Sequence, residues 1–179
     1  MADSQPTSIS VTLAIDPPKF TRRAESPPSI SLTAIFHAAE PIAIFLWHSV
    51  FNPKLAKRRN FTCMDLTTGT ALELETTKGP KRSESSSELG GTDDEYYCTL
   101  QPERPVTFTH KLIRSHALEG ERAFVPGHTY RLKVRDDEEI NWWRYGRKED
   151  VLVPQGNPCR DKAPKTQVVH QLDWNQLLP

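Results

Sequence analysis

The stretch Ser-Ile-Ser-Val-Thr-Leu-Ala-Ile-Asp-Pro-Pro, residues 8–18, decides the fold class of this chain. Its apolar side chains occupy every second position from Ile9 to Ile15, so one face of an extended strand is apolar. Asp16 and the two prolines after it end the run, because proline cannot donate to a strand ladder. The pattern predicts a β-strand that packs one face on a core.

Short alternating runs of this kind recur along the chain. They predict further strands near residues 30–36, 42–46, 61–65, 72–74, 96–100, 106–112, 130–134 and 140–145. No window of about a dozen residues shows the helical period of about 3.6 residues. Many short strands without helices predict an all-β fold of the antiparallel sandwich kind.

Chain length and proline content indicate how the chain is organised. Its 179 residues suit one domain, and its 15 prolines indicate that part of the chain is loop or tail. We predict a single β-sandwich domain over residues 1–153, with a long, flexible, acidic and serine-rich loop over residues 78–95. A proline-rich linker and an irregular C-terminal tail follow over residues 154–179. The tail either docks on its own domain or binds a partner.

Charge and hydropathy exclude several classes of partner. The 23 basic and 23 acidic side chains cancel, which argues against nucleic acid because that binding depends on positive charge. The longest apolar run, near residues 42–47, is too short to span a membrane, and the N-terminus lacks the features of a secretory signal. We expect a cytoplasmic protein with reduced thiols, and a nuclear location is the alternative because of the basic cluster at residues 54–59.

One late segment carries a resemblance to a known fold family. The stretch Val-Pro-Gly-His-Thr-Tyr-Arg-Leu-Lys-Val, residues 125–134, resembles the late strand of fibronectin type III and related immunoglobulin-like sandwiches. In those proteins a tyrosine hydroxyl closes a corner against the backbone, so the resemblance implies this role for Tyr130. It implies nothing about function, because the fold serves many roles. The early-strand tryptophan of the family is missing from its usual context, and Trp47 is a possible substitute.

The whole chain is also similar to small proteins of filamentous fungi. The motifs that carry this similarity are Ser31-Leu32-Thr33, Arg58-Arg59-Asn60-Phe61-Thr62-Cys63, Pro126-Gly127-His128 and Trp142-Trp143. The similarity implies a source and a fold, and no chemistry.

Two late strands provide the candidate binding residues. If Tyr130, Leu132 and Val134 face the core, then Arg131 and Lys133 face outward.

The next run predicts an aromatic counterpart. In the run at residues 140–145, we predict that Ile140 and Trp142 are buried and that Trp143 and Tyr145 are exposed. If the two strands pair as a hairpin across residues 136–139, basic and aromatic side chains alternate on one outer face and form cation–π contacts. This face is either a binding surface or a self-contained sheet face that the C-terminal segment covers.

No chemical motif appears in the sequence. The 6 histidines and 3 cysteines show no metal-ligand spacing, and no nucleophile elbow or phosphate-binding loop is present. Cys63 is predicted to be a small core residue, and Cys159, near Arg160 and Lys162, is the best candidate for a reactive thiol. We therefore predict no catalytic residue, no metal site and no cofactor.

The leading functional prediction is a non-catalytic intracellular binding or protein-interaction module. Its partner is an unknown protein or peptide, and the sequence leaves the oligomeric state open. The alternative is a small enzyme or accessory protein of a fungal metabolic pathway, with an aromatic-lined pocket. A nucleic-acid binder is a third possibility, which the zero net charge opposes.

Overall fold

The computed structural model describes residues 8–19, 28–47, 49–52, 60–72, 85–111, 124–156 and 160–161. These residues form antiparallel β-strands with very little helix, which confirms the predicted all-β class. The predicted loop residues 78–84, the tail from residue 162 onward, Cys159 and the basic cluster at residues 54–59 lie outside them. Within the described chain, no helix combines the length and the apolar character that a membrane crossing requires.

The strands follow the alternating runs closely. In chain order they are β1 (Ser8–Asp16), β2 (Ser29–His37), β3 (Ile42–Phe45), β4 (Phe61–Asp65), β5 (Thr70–Leu72), β6 (Ser85–Ser86), β7 (Tyr97–Leu100), β8 (Val106–Lys111), β9 (Tyr130–Val134), β10 (Trp143–Tyr145) and β11 (Arg160–Asp161). A short 3₁₀ helix, Asp94–Tyr96, precedes β7, and helix α1 (Lys148–Val151) follows β10. The sequence did not predict β6, β11 or α1, because elements of two to four residues carry no readable period.

The strands pair in three sheets and one small ribbon. Sheet A has the order β1-β2-β8, sheet B has the order β10-β3-β7, and sheet C has the order β5-β4-β9. The ribbon joins β6 to β11. In sheet A the longest pairing places Ser8 opposite His37 at one end and Asp16 opposite Ser29 at the other.

Sheets A, B and C all contribute buried side chains to one main core. Its buried strand residues are Ile9, Val11 and Leu13 of β1, Ile30, Leu32, Ala34 and Phe36 of β2, Ile42 and Ile44 of β3, Phe61 of β4, Leu100 of β7 and Val134 of β9. The alternation in β1, β2 and β4 thus sends the predicted side chains inward.

Strand β3, the central strand of sheet B, is buried on both faces. All four residues of β3 are buried, and Ala43 and Phe45 point away from the main core into a second, aromatic cluster. This aromatic cluster also contains Trp47, Tyr96, Tyr97, Trp142 and Leu152. The uninterrupted apolar run at residues 42–47 fits a strand covered on both sides.

Residues 85–95, the described part of the predicted acidic loop, include Leu89, which packs against this aromatic cluster. The backbone N–H of Leu89 donates to the Val153 carbonyl at 2.7 Å, and the N–H of Val153 donates to the Ser87 carbonyl at 2.8 Å. Asp93 is buried and accepts a hydrogen bond from the Ser86 backbone at 2.8 Å. In the described part of the predicted loop, buried polar groups and backbone hydrogen bonds anchor a segment that is poor in apolar residues, and its flexibility stays a prediction.

Candidate functional site

The structure separates the four predicted binding residues into two sheets. Arg131 and Lys133 lie on β9, which pairs with β4 in sheet C. Trp143 and Tyr145 lie on β10, which pairs with β3 in sheet B. The predicted hairpin between β9 and β10 is wrong, because the intervening segment carries the chain from one sheet to the other. The continuous basic and aromatic face that depended on this hairpin is not formed.

The two tryptophans of the Trp-Trp pair pack on opposite sides of sheet B. Trp142 is 2 % exposed within the aromatic cluster, and the Arg144 guanidinium lies 5.1 Å from its ring centroid. Trp143 packs against the main core and is half-buried, so its predicted exposure is wrong. Tyr145 is 52 % exposed, as predicted, with its ring edge-on to Trp143 at 5.1 Å. A cation–π contact therefore exists, but between different residues from those predicted.

The basic side chains of β9 lie on the outer face of sheet C. Lys133 forms an ion pair with Asp136. Arg131 is exposed and lies opposite Met64, which is 43 % exposed. Arg131 and Tyr145 are therefore the two predicted binding residues that are exposed, and they lie on different sheets.

The predicted tyrosine corner is present as a local contact. The backbone N–H of Val125 donates to the Tyr130 hydroxyl at 2.6 Å. His128 Nδ1 lies 2.7 Å from Asp65 Oδ2, and Asp65 Oδ1 accepts a hydrogen bond from the Thr67 backbone at 2.8 Å. Burial acts to raise the pKa of Asp65, but these hydrogen bonds outweigh it and lower the pKa. The contacts fix the turn before β9 onto the end of β4.

A chain of three polar side chains lies on the outer face of sheet A. Ser10 Oγ is 2.7 Å from His37 Nε2, and His37 Nδ1 is 2.9 Å from Glu103 Oε1. We call these three residues the Ser10 relay. In the ionised form the Glu103 carboxylate only accepts hydrogen bonds, so His37 Nδ1 carries the proton between them. In the neutral imidazole, Nε2 is then an acceptor and receives the hydroxyl hydrogen of Ser10.

Three separate elements position the Ser10 relay. Ser10 is on β1, and His37 ends β2, where it lies opposite Ser8 and therefore diagonal to Ser10. Glu103 lies in the connection between β7 and β8 with φ of 53°, and its N–H donates to the Phe36 carbonyl at 2.9 Å. Sequence reasoning missed this site, because the pairs are 27 and 66 residues apart and no local motif links them.

Strand β1 has an open edge. Among the described residues it pairs only with β2, and its nine residues carry no charge before Asp16. Of the other sheet edges, β5 and β10 have three residues each, β7 has four, and β9 carries Arg131 and Lys133. Strand β8, the opposite edge of sheet A, has six residues and ends in His110 and Lys111, so β1 is the longest edge strand described. Within the described part of the chain, the edge of β1 that faces away from β2 has backbone N–H and C=O groups available to pair with another strand.

Glu138, which lies between β9 and β10, is a buried acidic side chain. Glu138 Oε1 accepts hydrogen bonds from the Val50 backbone at 2.7 Å and from Asn60 Nδ2 at 2.6 Å. Burial raises the pKa of Glu138 to about 7, although these two hydrogen bonds act to lower it. The carboxyl group thus ties together three segments that no strand ladder joins.

The two described cysteines are poor nucleophiles. Cys63 is buried, as predicted, and burial followed by the nearby Asp65 charge raises the pKa of its thiol to about 12. Burial also raises the pKa of Cys98. Because the thiolate is the reactive form, neither thiol is suited to catalysis near neutral pH.

Comparison with known proteins assigns no family. No protein-family model and no curated protein matches the sequence. The fibronectin type III and fungal similarities therefore stay predictions. Within the described residues, no group of three histidine, cysteine, aspartate or glutamate side chains is placed to hold a metal ion.

Proposed function

We propose that this chain is a protein-interaction module that accepts an extended segment of a partner protein along the open edge of β1. The observation that carries the proposal is the length of β1, together with its lack of charge before Asp16 and the absence of a second neighbouring strand among the described residues. Strand addition gains affinity from main-chain hydrogen bonds and specificity from alternate side chains.

The size of the edge suits this mode of binding. The nine residues of β1 extend over roughly 30 Å, because a strand rises about 3.3 Å per residue. Its outward side chains include Ser8, Ser10 and Thr12, which are small enough for a second strand to approach closely. The opposite face is fixed in the main core, so the edge is held in the extended conformation before a partner arrives.

The sequence of β1 indicates the kind of strand that fits. In an antiparallel pair with a strand of the same sequence, centred on Thr12, Val11 would face Leu13 and Ile9 would face Ile15. Apolar side chains would then meet on the core side, and no like charges would be opposed. We therefore propose a partner segment that alternates apolar with small hydroxyl residues and lacks charge.

A charge placed at the edge tests the proposal. The probe is a fluorescently labelled peptide with the sequence of residues 8–16, flanked by lysines for solubility, and its anisotropy reports binding. Thr12→Lys adds an exposed charge to β1, whereas Thr62→Lys makes the same change on the exposed face of the central strand of sheet C. We expect Thr12→Lys to weaken binding at least about tenfold and Thr62→Lys to leave it unchanged. Equal binding by both variants, or no binding by the unmodified protein, would refute the proposal.

We also propose the immunoglobulin-like arrangement and an intracellular location. The tyrosine corner at Tyr130 and the sharing of one core between sheet A and the other two sheets support the arrangement. The free thiols of Cys63 and Cys98 support a reducing compartment, the cytoplasm or the nucleus. A crystal structure and imaging of a tagged chain in its native cell test these two points.

A further inference from the structure

We propose that the Ser10 relay is a nucleophilic site that transfers a small acyl group from an activated ester to Ser10 and then to water. The inference goes beyond strand binding and rests on a different observation, the two hydrogen bonds that join Ser10, His37 and Glu103 at 2.7 and 2.9 Å.

The three side chains occupy the three roles of an acyl-transfer triad. A serine hydroxyl donates to the imidazole nitrogen that accepts its proton, and the carboxylate holds the other ring nitrogen. The bond between Glu103 and His37 Nδ1 selects the tautomer in which Nε2 acts as the base. Such an arrangement is recognised by geometry and not by position in the sequence, so the missing nucleophile elbow does not oppose it.

The backbone holds Glu103 firmly in this position. Its φ of 53° is uncommon for a residue other than glycine, and its N–H donates to the Phe36 carbonyl at the end of β2. A sparsely populated conformation persists only where the surroundings enforce it, and such residues cluster at functional sites. The same strand that carries His37 therefore fixes the carboxylate beside it.

The neighbouring side chains indicate the substrate class. Ile35 lies directly opposite Ser10, and Ser8 and Thr12 flank it on the same strand. None of these three side chains is charged, so the neighbours of Ser10 on β1 and β2 include no cation of the kind that binds a phosphate ester. An apolar side chain beside the nucleophile suits a short, neutral acyl group.

The reaction proceeds in two balanced halves. Ser10 Oγ attacks the ester carbonyl carbon while its proton moves to His37 Nε2. The tetrahedral intermediate collapses, the bond to the leaving oxygen breaks, and His37 returns the proton to that oxygen. Water then attacks the acyl-Ser10 ester with His37 as the base, which releases a carboxylic acid and regenerates Ser10. The net reaction consumes one ester and one water and produces one acid and one alcohol.

The rate enhancement should be modest. The His37 and Glu103 side chains are 38 % and 67 % exposed, so water weakens the electrostatic terms that a closed site would strengthen. We expect an enhancement near the low end of general-base catalysis, about 100-fold over the same ester in buffer.

Hydrolysis of p-nitrophenyl acetate by the full chain tests the inference. We expect Ser10→Ala to lose at least about tenfold in rate, and Glu103→Ala to lose more than Glu103→Gln, whose carbonyl oxygen can still accept a hydrogen bond from His37 Nδ1–H. Ser31→Ala is the matched control on the same face, because the Ser31 hydroxyl lies 3.3 Å from the Thr109 hydroxyl and is not part of the Ser10 relay. Circular dichroism checks that each variant is folded.

Mass spectrometry separates acyl transfer to Ser10 from simple catalysis by the His37 imidazole. We expect an acetyl group on the peptide that contains Ser10 in protein quenched with acid during turnover. A rate that Ser10→Ala leaves unchanged, or an acetyl group found equally on Ser10 and Ser31, would overturn the inference.

Discussion

The carboxyl group of Glu138 holds the backbone N–H of Val50 at 2.7 Å inside the protein. Val50 follows β3, and Glu138 precedes β10, so the contact joins the two segments that leave the paired ends of sheet B. Asn60, just before β4, donates to the same carboxyl group at 2.6 Å. The Glu138 side chain thus provides hydrogen bonds beyond the end of the β3–β10 ladder. The protonation of this side chain is therefore linked to the free energy of unfolding.

Glu138→Gln should change how stability depends on pH. The folded-state pKa of Glu138, about 7, lies above its ordinary value of 4.5, so the protonated form is favoured by folding. Its contribution is full below about pH 4.5 and is lost as pH rises to about 7. We expect the free energy of unfolding of Glu138→Gln, relative to the unmodified protein, to increase by about 3 kcal/mol between about pH 5 and pH 8.

Urea denaturation at these two pH values measures that difference. Glu139→Gln, a neutralisation of the exposed neighbouring residue, is the control and should show almost no pH-dependent difference. The interpretation of Glu138 fails if the two variants behave alike.

Asp65→Asn should destabilise the turn that carries Tyr130. Asp65 accepts hydrogen bonds from His128 and the Thr67 backbone, and its lowered pKa means that its contribution is present above about pH 4 and is lost in acid. We expect a fall of roughly 5 °C in Tm at neutral pH, and a smaller difference in acid. Asp137→Asn removes an exposed ion pair with Arg135 and should lower Tm far less. Equal effects at neutral pH would contradict this ranking.

Phe45→Ala tests whether the outer face of sheet B is a true core. Phe45 is buried, and its ring lies 4.7 Å from that of Tyr97. Truncation should lower the free energy of unfolding by about 3 kcal/mol, because it leaves a cavity among aromatic rings. Met64→Ala on exposed sheet C is the control and should cost less than about 1 kcal/mol. Chemical denaturation compares them, and similar costs would show that the aromatic cluster contributes no core stability.

Alkylation should distinguish the buried thiol from an accessible one. With its pKa raised to about 12, Cys63 should resist iodoacetamide in the native protein near neutral pH and react after denaturation in urea. Peptide mapping by mass spectrometry gives the modified fraction at each site. Free glutathione in the same reaction confirms that the reagent is active. Native labelling of Cys63 as fast as that of the unfolded chain would disprove its burial.

The period of the sequence predicted the strands well and the partners of those strands poorly. Ile9, Val11 and Leu13 alternate with small polar residues. The hydrophobic effect therefore directs one face of this strand to the core and leaves the other face in solvent. The same rule failed for Trp142 and Trp143, because it assumes one buried face for each sheet. Strand β3 in sheet B has two buried faces, so Trp142 packs in the aromatic cluster and Trp143 packs against the main core.

The candidate sites differ in how far the sequence revealed them. The Tyr130 corner was predictable, since its partners lie within five residues of one another. The Ser10 relay was not, because Ser10, His37 and Glu103 meet only after β1 has paired with β2 and the connection before β8 has folded against the end of that pair.

The sequence by itself determined the all-β class, the faces of the long strands and the burial of Cys63, because hydrophobic burial acts on each short segment separately. Only the tertiary structure decided which strands became neighbours, which residue met Ser10, and which carboxyl group was enclosed at Glu138. Those outcomes depend on contacts between residues far apart in the chain, and local periodicity carries no information about such distances.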